Sequence, residues 1–367
     1  MKRSSIFLAA LLLLALYGTL PMEARSLKDA LGKYFAFGVA LSDSDVKGDS
    51  LTHSIITTNF DNVVAENCMK PEAIQPKEGK FRFRRADRFV DFARCNGMEV
   101  TGHCLVWNEQ TPAWFFTDSL GNPASRDLLI SRMKSHIMNT MGHFRGKVKG
   151  WDVVNEAFGD DGQLKHTRWY DIIGPDYIEL AFRFAQEADP DAELYYNDFS
   201  MAGSKKREAV CRMVRDFKEK GIRIDAIGMQ SHVGLTFPDL SEYEKSIEAF
   251  AAEGVKVMIT ELDLNVLPNP DNFSGANITD NFEYSDAMNP YRDGLPQDVA
   301  ERIDRRWAEL FTIYIRHADV ISRVNLWGLD DGGSWLNNFP IKGRTAYPLL
   351  FDRHRRPKGA VELLMNM

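Results

Sequence analysis

The sequence predicts an α/β fold, a single (β/α)8 barrel domain that follows a signal peptide. Eight apolar segments recur along the 367 residues, and most of them are followed by an amphipathic helical pattern. Several segments are near-continuous apolar runs that end in polar residues, such as VVAEN, DVVNE and VMITELD. Such runs are typical of strands buried in a parallel sheet. The length also suits one barrel, which typically needs about 250 residues.

The eight candidate strands share an apolar interior and a polar end. They are predicted at Phe35–Leu41, Asn62–Asn67, Glu99–Trp107, Gly150–Glu156, Glu193–Asp198, Ala226–His232, Val257–Asp263 and Arg323–Leu329. Before the last strand, Val299, Ile303, Trp307 and Leu310 fall on one helix face. The competing fold is an open doubly wound sheet. It would need a nucleotide-binding fingerprint, and the sequence contains neither GxGxxG nor a P-loop.

The N-terminus has the pattern of a signal peptide, predicted over residues 1–24. Lys2 and Arg3 precede an apolar run over residues 6–16, and small residues lead to Ala24, near which cleavage is expected. The run is short for a membrane span, so an uncleaved anchor is the weaker alternative. We therefore expect export to the periplasm or the medium, no membrane association after cleavage, and a barrel domain over residues 27–367.

Composition narrows the function classes. A net charge of −7 without a basic tract argues against nucleic acid and anionic membranes as partners. The seven tryptophans suit sugar binding, because indole faces stack on pyranose rings, although most aromatic residues must pack in the core. The four cysteines are scattered and form no zinc motif, so we interpret them mainly as small buried residues. They are Cys68, Cys95, Cys104 and Cys211.

Polar and aromatic residues recur at the predicted strand ends, where barrel enzymes place their active sites. Each one alone could be structural, but the pattern extends over seven strands and predicts one site at one rim. These residues are Glu66, Asn67, His103, Trp107, Asn155, Glu156, Asn197, Asp198, Gln230, His232, Glu261, Asp263 and Trp327.

Two carboxylates stand out at this rim. Glu156 ends the fourth predicted strand and Glu261 lies near the end of the seventh, so the two should face each other across the barrel mouth. Glycoside hydrolysis needs such a pair. One carboxyl protonates the leaving oxygen, and the other attacks the anomeric carbon or activates a water. A separation of about 5–5.5 Å would imply retention of configuration, and about 6.5–9.5 Å inversion. The sequence leaves this distance open.

Six motifs carry a resemblance to a known family. They are AENCMKPEAIQP at 65–76, GHCLVW at 102–107, WDVVNEA at 151–157, GMQSH at 228–232, ITELD at 259–263 and WGLDDGGSW at 327–335. In this order and spacing they resemble glycoside hydrolase family 10, the endo-β-1,4-xylanases, from about Leu27 to the C-terminus. The resemblance implies an exported, retaining endo-β-1,4-xylanase that binds xylan and xylo-oligosaccharides and needs no cofactor or metal. We expect the protein to be a monomer.

The resemblance also implies roles for individual residues. Glu261 would be the nucleophile and Glu156 the acid/base. Asn155 would hydrogen-bond the 2-hydroxyl of the reacting sugar. His232 would orient Glu261, with Asp263 behind it.

A further set of side chains would bind the glycone sugars. Taken alone, Lys70 would more often be a solvated surface charge. Trp335 would also exclude glucose units, because it would clash with the hydroxymethyl group that xylose lacks. The predicted glycone residues are Glu66, Asn67, Lys70, His103, Trp107, Gln230, Trp327 and Trp335.

The sequence departs from the family pattern at several places. Asn108 and Glu109 stand where the family commonly has His and Ser. Phe199 and Ser200 stand where Tyr and Asn are usual, which removes a hydroxyl and predicts a weaker or altered first aglycone subsite. Residues 267–296 form a long polar segment after the seventh strand. We expect this segment to shape the aglycone cleft or to bind decorated substrate, the alternative being a solvated surface excursion.

Three alternatives remain at this point. One is another retaining β-1,4-glycanase of the same barrel class, whose second-strand and last-strand motifs would match less well. A second is a non-catalytic xylo-oligosaccharide-binding barrel, which would be expected to lose a catalytic glutamate or His232. The third is a metal-dependent hydrolase. It would need clustered His and carboxylate ligands, whereas only His103 and His232 are predicted at strand ends.

Overall fold

The computed structural model describes residues 26–271, 273 and 281–367. The predicted signal peptide lies outside the described residues. The strands in the described part are β1 (Ala36–Leu41), β2 (Asn62–Ala65), β3 (Glu99–Val106), β4 (Gly150–Asn155), β5 (Glu193–Asp198), β6 (Ala226–Met229), β7 (His232–Gly234), β8 (Lys256–Asn265) and β9 (Ile321–Leu326). They pair in the order β6-β5-β4-β3-β2-β1-β9-β8, and a parallel β6–β8 pairing closes the barrel. This confirms the predicted fold class.

Helices connect these strands around the outside of the barrel. They are α1 (Leu27–Leu31), α2 (Asp43–Val46), α3 (Ser50–Asn59), α4 (Pro71–Ile74), α5 (Arg84–Cys95), α6 (Arg126–Phe144), α7 (Arg168–Ile173), α8 (Tyr177–Ala188), α9 (Ser204–Glu219), α10 (Leu240–Ala252), α11 (Gln297–Arg316) and α12 (Gly359–Met365). Short 3₁₀ turns lie at Ala113–Phe116, Asp286–Met288 and Trp335–Asn337. Among the described residues, no helix combines the length and apolar character needed to cross a membrane.

The helices form the outer layer because each long one carries an apolar face. In α5 the buried residues are Ala86, Phe89, Val90 and Ala93, which is the i, i+3, i+4, i+7 spacing of one helix face. Strand β8 is buried from its second residue to its ninth. A strand covered by helices on one side and by the barrel interior on the other is expected to be apolar throughout.

The barrel interior is filled toward the N-terminal ends of the strands. Tyr195, Ala226 and Met258 form a buried cluster there. At Gly102, a Cβ atom would lie 2.2 Å from the ring of Trp151, so a larger residue does not fit. The interior space that remains open lies at the C-terminal ends of the strands, where barrel enzymes place their active sites.

The predicted strand boundaries were wrong at several functional positions. The predicted strand Ala226–His232 is divided into β6 and β7, because Ser231 has a φ of +68° and interrupts the ladder. Strands β2, β4 and β9 end before Glu66, Glu156 and Trp327, and β8 continues two residues beyond its predicted end. Several site residues therefore follow a strand rather than end it.

The cysteines of the described chain are all free. Cys68, Cys104 and Cys211 are buried, as predicted. Cys95 is exposed, which corrects the prediction for this residue. It ends α5 on the face opposite the buried Phe89 and Val90.

Candidate active site

The structure brings together all thirteen residues to which the resemblance assigns a catalytic, supporting or sugar-binding role. Twelve line one open cleft of about 520 Å³ at the C-terminal ends of the strands. Asp263, the thirteenth, is fully buried and contacts two residues of the cleft wall. The placement of the predicted residues is therefore as expected, while their individual roles remain predictions.

Glu156 leaves the barrel wall immediately after β4. Its φ of +60° turns it out of the strand, and its backbone N–H donates to the carbonyl oxygen of Asn197 (2.9 Å). The side chain is 8% exposed. Its Oε1 accepts from Gln230 Nε2 (2.9 Å), and its Oε2 lies 4.0 Å from Lys165 Nζ.

Burial raises the pKa of Glu156 above its ordinary value, and the charge of Asp198 adds to this rise. The Lys165 ammonium and the hydrogen bond from Gln230 oppose it without cancelling it. Burial disfavours the charged carboxylate, so Glu156 retains its proton to a higher pH than an exposed glutamate. This is the property required of a general acid.

Glu261 lies within β8 and has the opposite tendency. Burial alone would raise its pKa, but the hydrogen bond from His232, the charges of His103 and His232 and the hydrogen bond from Asn197 outweigh burial and lower the pKa. Its Oε1 accepts from Asn197 Nδ2 (2.7 Å), and its Oε2 lies 3.3 Å from His232 Nε2. Glu261 is therefore ionised at neutral pH, as a nucleophile must be.

His232 links Glu261 to Asp263, as the resemblance predicts. The distance from His232 Nδ1 to Asp263 Oδ1 is 3.0 Å, and Trp335 Nε1 donates to Asp263 Oδ2 (2.7 Å). Burial would lower the pKa of His232, but the charge of Asp263 and the hydrogen bonds to Asp263 and Glu261 raise it to about 10. The imidazole is therefore protonated at neutral pH, and both ring nitrogens donate.

The cleft wall that carries the predicted glycone residues, called the glycone wall below, contains a buried lysine. Lys70 is 6% exposed, so interpreting it as a solvated charge would be wrong. Its Nζ donates to Asn67 Oδ1 (3.0 Å) and Gln110 Oε1 (2.7 Å) and lies 4.9 Å from the Trp107 ring. These contacts fix the ammonium beside an indole, where its donors can reach sugar hydroxyls.

The catalytic end of this wall is formed by His103 and Trp327. His103 Nδ1 lies 2.8 Å from the buried Asp152 Oδ2, and its ring meets Trp327 edge-on at 5.4 Å between centroids. The carboxylate behind His103 sets the orientation of the imidazole. A polar edge and an apolar indole face therefore lie side by side, as sugar binding requires.

Trp335 lies close to the catalytic pair, with its ring 5.0 Å from that of His232 between centroids. Its ring stacks on Phe339 at 4.8 Å with an interplanar angle of 15°. Asn281, from the long segment after β8, lines the cleft near this tryptophan. The described part of that segment packs on the same wall, since Phe282 N donates to the carbonyl oxygen of Pro340 (3.0 Å). The described part of the segment thus lies against Trp335 and Phe339, and its effect on aglycone binding stays a prediction.

The sequence interpretation missed a buried asparagine that joins the two catalytic strands. Asn197 Nδ2 donates to Glu261 Oε1 and lies 3.0 Å from the carboxamide of Asn155, and Asn197 Oδ1 accepts from Thr260 (2.6 Å). The sequence pattern identifies Asn197 only as a strand-end residue. Its position one strand after the Asn155–Glu156 pair was the available signal.

Comparisons with known proteins agree with this site. The sequence model of glycosyl hydrolase family 10 matches residues 26–367. The chain is 47% identical over 369 residues to an endo-1,4-beta-xylanase A of Xylanibacter ruminicola, and the alignment covers 100% of both chains.

Solved structures of xylanases are also similar to this chain. One is a family 10 endoxylanase from a sugarcane soil metagenome, with a TM-score of 0.90, 40% identity, and coverage of 93% of this chain and 99% of that one. Another is a mutant of the intracellular xylanase of Thermoanaerobacterium saccharolyticum in complex with xylotriose. Its TM-score is 0.81 at 35% identity, with coverage of 94% and 99%. By its family match, its barrel and the residues of its cleft, the chain belongs to glycosyl hydrolase family 10.

Proposed function

We propose that the protein is an endo-β-1,4-xylanase that hydrolyses internal bonds of xylan with retention of configuration. The observation that carries this proposal is the pair of buried carboxyls in one cleft with opposite pKa shifts, raised for Glu156 and lowered for Glu261. When the environments of two neighbouring carboxyl groups shift their pKa values in opposite directions, one can act as the general acid and the other as the nucleophile. The relatives named as xylanases and the xylotriose complex support the substrate.

The reaction follows from this pair in two steps. In the first, Glu261 attacks the anomeric carbon while Glu156 donates its proton to the leaving oxygen, which forms a glycosyl-enzyme. In the second, Glu156 takes a proton from a water whose oxygen attacks the same carbon, and the bond to Glu261 breaks. Two inversions give retention. Asn155, beside Glu156, would hydrogen-bond the 2-hydroxyl.

The shape of the site supports cleavage within a chain. The catalytic cleft is open and is bordered by two further grooves. One, of about 1070 Å³, shares Glu66 and Asn67 with the cleft on the glycone side. The other, of about 220 Å³, shares His232 and contains Ser200 and Phe237. A polymer can therefore extend past the catalytic pair in both directions.

Preference for xylan over glucan is expected from the fixed position of Trp335. The indole is held by its hydrogen bond to Asp263 and by stacking on Phe339, so it cannot easily move aside. A hydroxymethyl group on C5 of the bound sugar would meet this ring, whereas xylose has no such group. Another β-1,4-glycanase would need space here, and a non-catalytic binding barrel would not need the complete set of Glu156, Glu261 and His232.

The test is hydrolysis of β-1,4-xylan and carboxymethyl cellulose by the purified mature protein. We expect reducing ends from xylan and little or none from the cellulose derivative, because of the steric limit at Trp335. Release from both polymers would favour a broader β-1,4-glycanase. Binding of xylo-oligosaccharides without any hydrolysis would favour the non-catalytic barrel.

Phe199 offers a test of the aglycone side. Its ring lies 4.4 Å from Lys165 Nζ, and Lys165 in turn contacts Glu156. Phe199→Tyr would add a hydroxyl at this side. We expect KM for short xylo-oligosaccharides to fall about 2–10-fold, as one additional hydrogen bond would give, and the product distribution to change. The control is Phe184→Tyr, at another phenylalanine beneath a lysine, on α8. Identical product profiles for wild type and Phe199→Tyr would contradict an altered first aglycone subsite.

We further propose that the protein is exported and acts as a monomer. Export rests on the basic start, the short apolar run and the small residues before position 25. N-terminal sequencing of the protein recovered from the medium or periplasm tests it, with a new N-terminus expected near Ala24. Size-exclusion chromatography with light scattering tests the oligomeric state.

A further inference from the structure

A lysine outside the predicted site lies beside the acid/base. After β4 the chain makes a small loop, closed by a Phe158–Leu164 bridge and by a hydrogen bond from Lys165 N to the Ala157 carbonyl oxygen (2.8 Å). This loop returns Lys165 to Glu156, with Nζ 4.0 Å from Oε2. The lysine side chain is 29% exposed, so its ammonium remains partly hydrated. Among the described residues, Glu156 is its only carboxylate neighbour within 4.0 Å.

The position of this ammonium is set by an aromatic ring. Lys165 Nζ lies 4.4 Å from the centroid of Phe199, and Lys206 Nζ lies 4.0 Å from the same ring. Lys206 is fully buried and donates to Asp198 Oδ1 (3.1 Å) and to the carbonyl oxygen of Phe199 (3.0 Å). The buried Lys206 thus holds the Phe199 backbone and contacts its ring, and an aromatic face attracts a cation such as the Lys165 ammonium.

The other charges near Glu156 are balanced by their own partners. Asp198, from β5, binds Lys206 and also accepts from the Tyr196 hydroxyl and from backbone N–H groups. The charge of Glu156 also acts on Lys70, which is held by Asn67 and Gln110. Glu261 belongs to the catalytic pair. Lys165 is therefore the cation in direct contact with the acid/base.

We propose that Lys165 is a positioning residue of the reaction, whose ammonium, held over Phe199, favours the ionised form of Glu156 in the second step. This inference rests on the proposed double-displacement function. The first step needs a protonated Glu156, and the second needs an ionised Glu156 to take a proton from water. An ammonium at 4.0 Å lowers the pH above which Glu156 loses the proton needed in the first step. In the second step it raises the fraction of Glu156 that is ionised and free to accept a proton from water.

Lys165→Met tests this role, because it keeps the length of the side chain and removes its charge. Lys165 lowers the pKa of Glu156, so its loss should move the alkaline limb of kcat/KM on xylo-oligosaccharides to higher pH. One unit charge at this distance in a hydrated setting corresponds to on the order of 0.7 pH unit. On an aryl β-xylobioside with a good leaving group, where the second step limits turnover, we expect the acid limb of kcat to move to higher pH by a similar amount, so that kcat on this limb falls several-fold. Lys165→Arg should retain both the alkaline limb and kcat.

The matched control is Lys134→Met, which removes a lysine placed over Phe184 on the outer surface and paired with Glu187. It should change neither the pH profile nor kcat. The proposal is overturned if Lys165→Met has the alkaline limb of the wild type, or if Lys165→Arg shifts it as far as Lys165→Met does. A wild-type protein inactive on both substrates would instead refute the proposed function itself.

Discussion

Glu261→Ala is expected to lower kcat on xylan by on the order of 10⁴-fold or more, since removing a catalytic nucleophile has effects of this size. The variant should still fold. The side chain it removes is a buried carboxylate held by His232 and Asn197 at the floor of an open cleft. The measurement is kcat/KM on xylan and on an aryl β-xylobioside. Both substrates should be affected, because both must form the bond to Glu261.

Glu156→Ala should behave differently, and the difference assigns the two roles. A dinitrophenyl leaving group needs no proton, so the first step should persist with such a substrate and the glycosyl-enzyme should accumulate. Added azide should then give a β-glycosyl azide by attacking this intermediate. In Glu261→Ala, azide would take the place of the nucleophile and give the α-anomer. The control is Glu187→Ala on the outer helix α8. The same anomer from both variants would contradict the assignment of acid/base and nucleophile.

The barrel could be predicted from the sequence because the signals involved are local. A strand buried on both faces must be apolar throughout, and a helix that covers it must show an apolar face. The exact strand ends could not be predicted at Glu156 and Ser231. Both have positive φ, which the local sequence does not favour. At Glu156 this conformation is accompanied by a backbone hydrogen bond to Asn197, a contact between strands.

The same difference between local sequence signals and tertiary contacts explains which features of the site could be predicted. The catalytic glutamates and the residues of the motifs could be placed at one rim, because parallel strands bring their C-terminal ends together. The contacts that set their chemistry depend on tertiary packing. Asn197 meets Glu261 across 64 positions of the sequence, and Lys70 is buried because Gln110 binds it from another loop. Lys165 carries no motif signal, and only the fold of the loop after β4 places it beside Glu156.

Asp263→Asn should change the charge of His232, the orientation of His232 and Trp335, and the binding of xylo-oligosaccharides. In the wild type, Asp263 accepts from both His232 and Trp335 and holds the pKa of His232 at about 10. A neutral carboxamide cannot accept equally well from both donors and removes the charge that keeps His232 protonated. A lost hydrogen bond to a charged group costs about 1.5–3 kcal/mol, or roughly 10–150-fold in kcat/KM. KM for xylo-oligosaccharides should also rise, because Trp335 loses its anchor.

The pH dependence separates this explanation from general damage to the fold. Without a charged His232 the pKa of Glu261 rises, so the acid limb of kcat/KM should move to higher pH. The folded pKa of His232 lies above its ordinary value of 6.5. Its protonation therefore stabilises the wild type below about pH 6.5, and this stability is lost as the pH rises toward about 10. Asp263→Asn should lack that decline.

The matched control is Asp61→Asn, at the opposite end of the barrel, where Asp61 accepts from Phe37 N (2.9 Å). This variant should lose some stability, because the hydrogen bond weakens, but it should keep the acid limb of the wild type. If Asp263→Asn also kept that limb, Asp263 would serve only to hold the fold. The charge on His232 would then not be what keeps Glu261 ionised for attack.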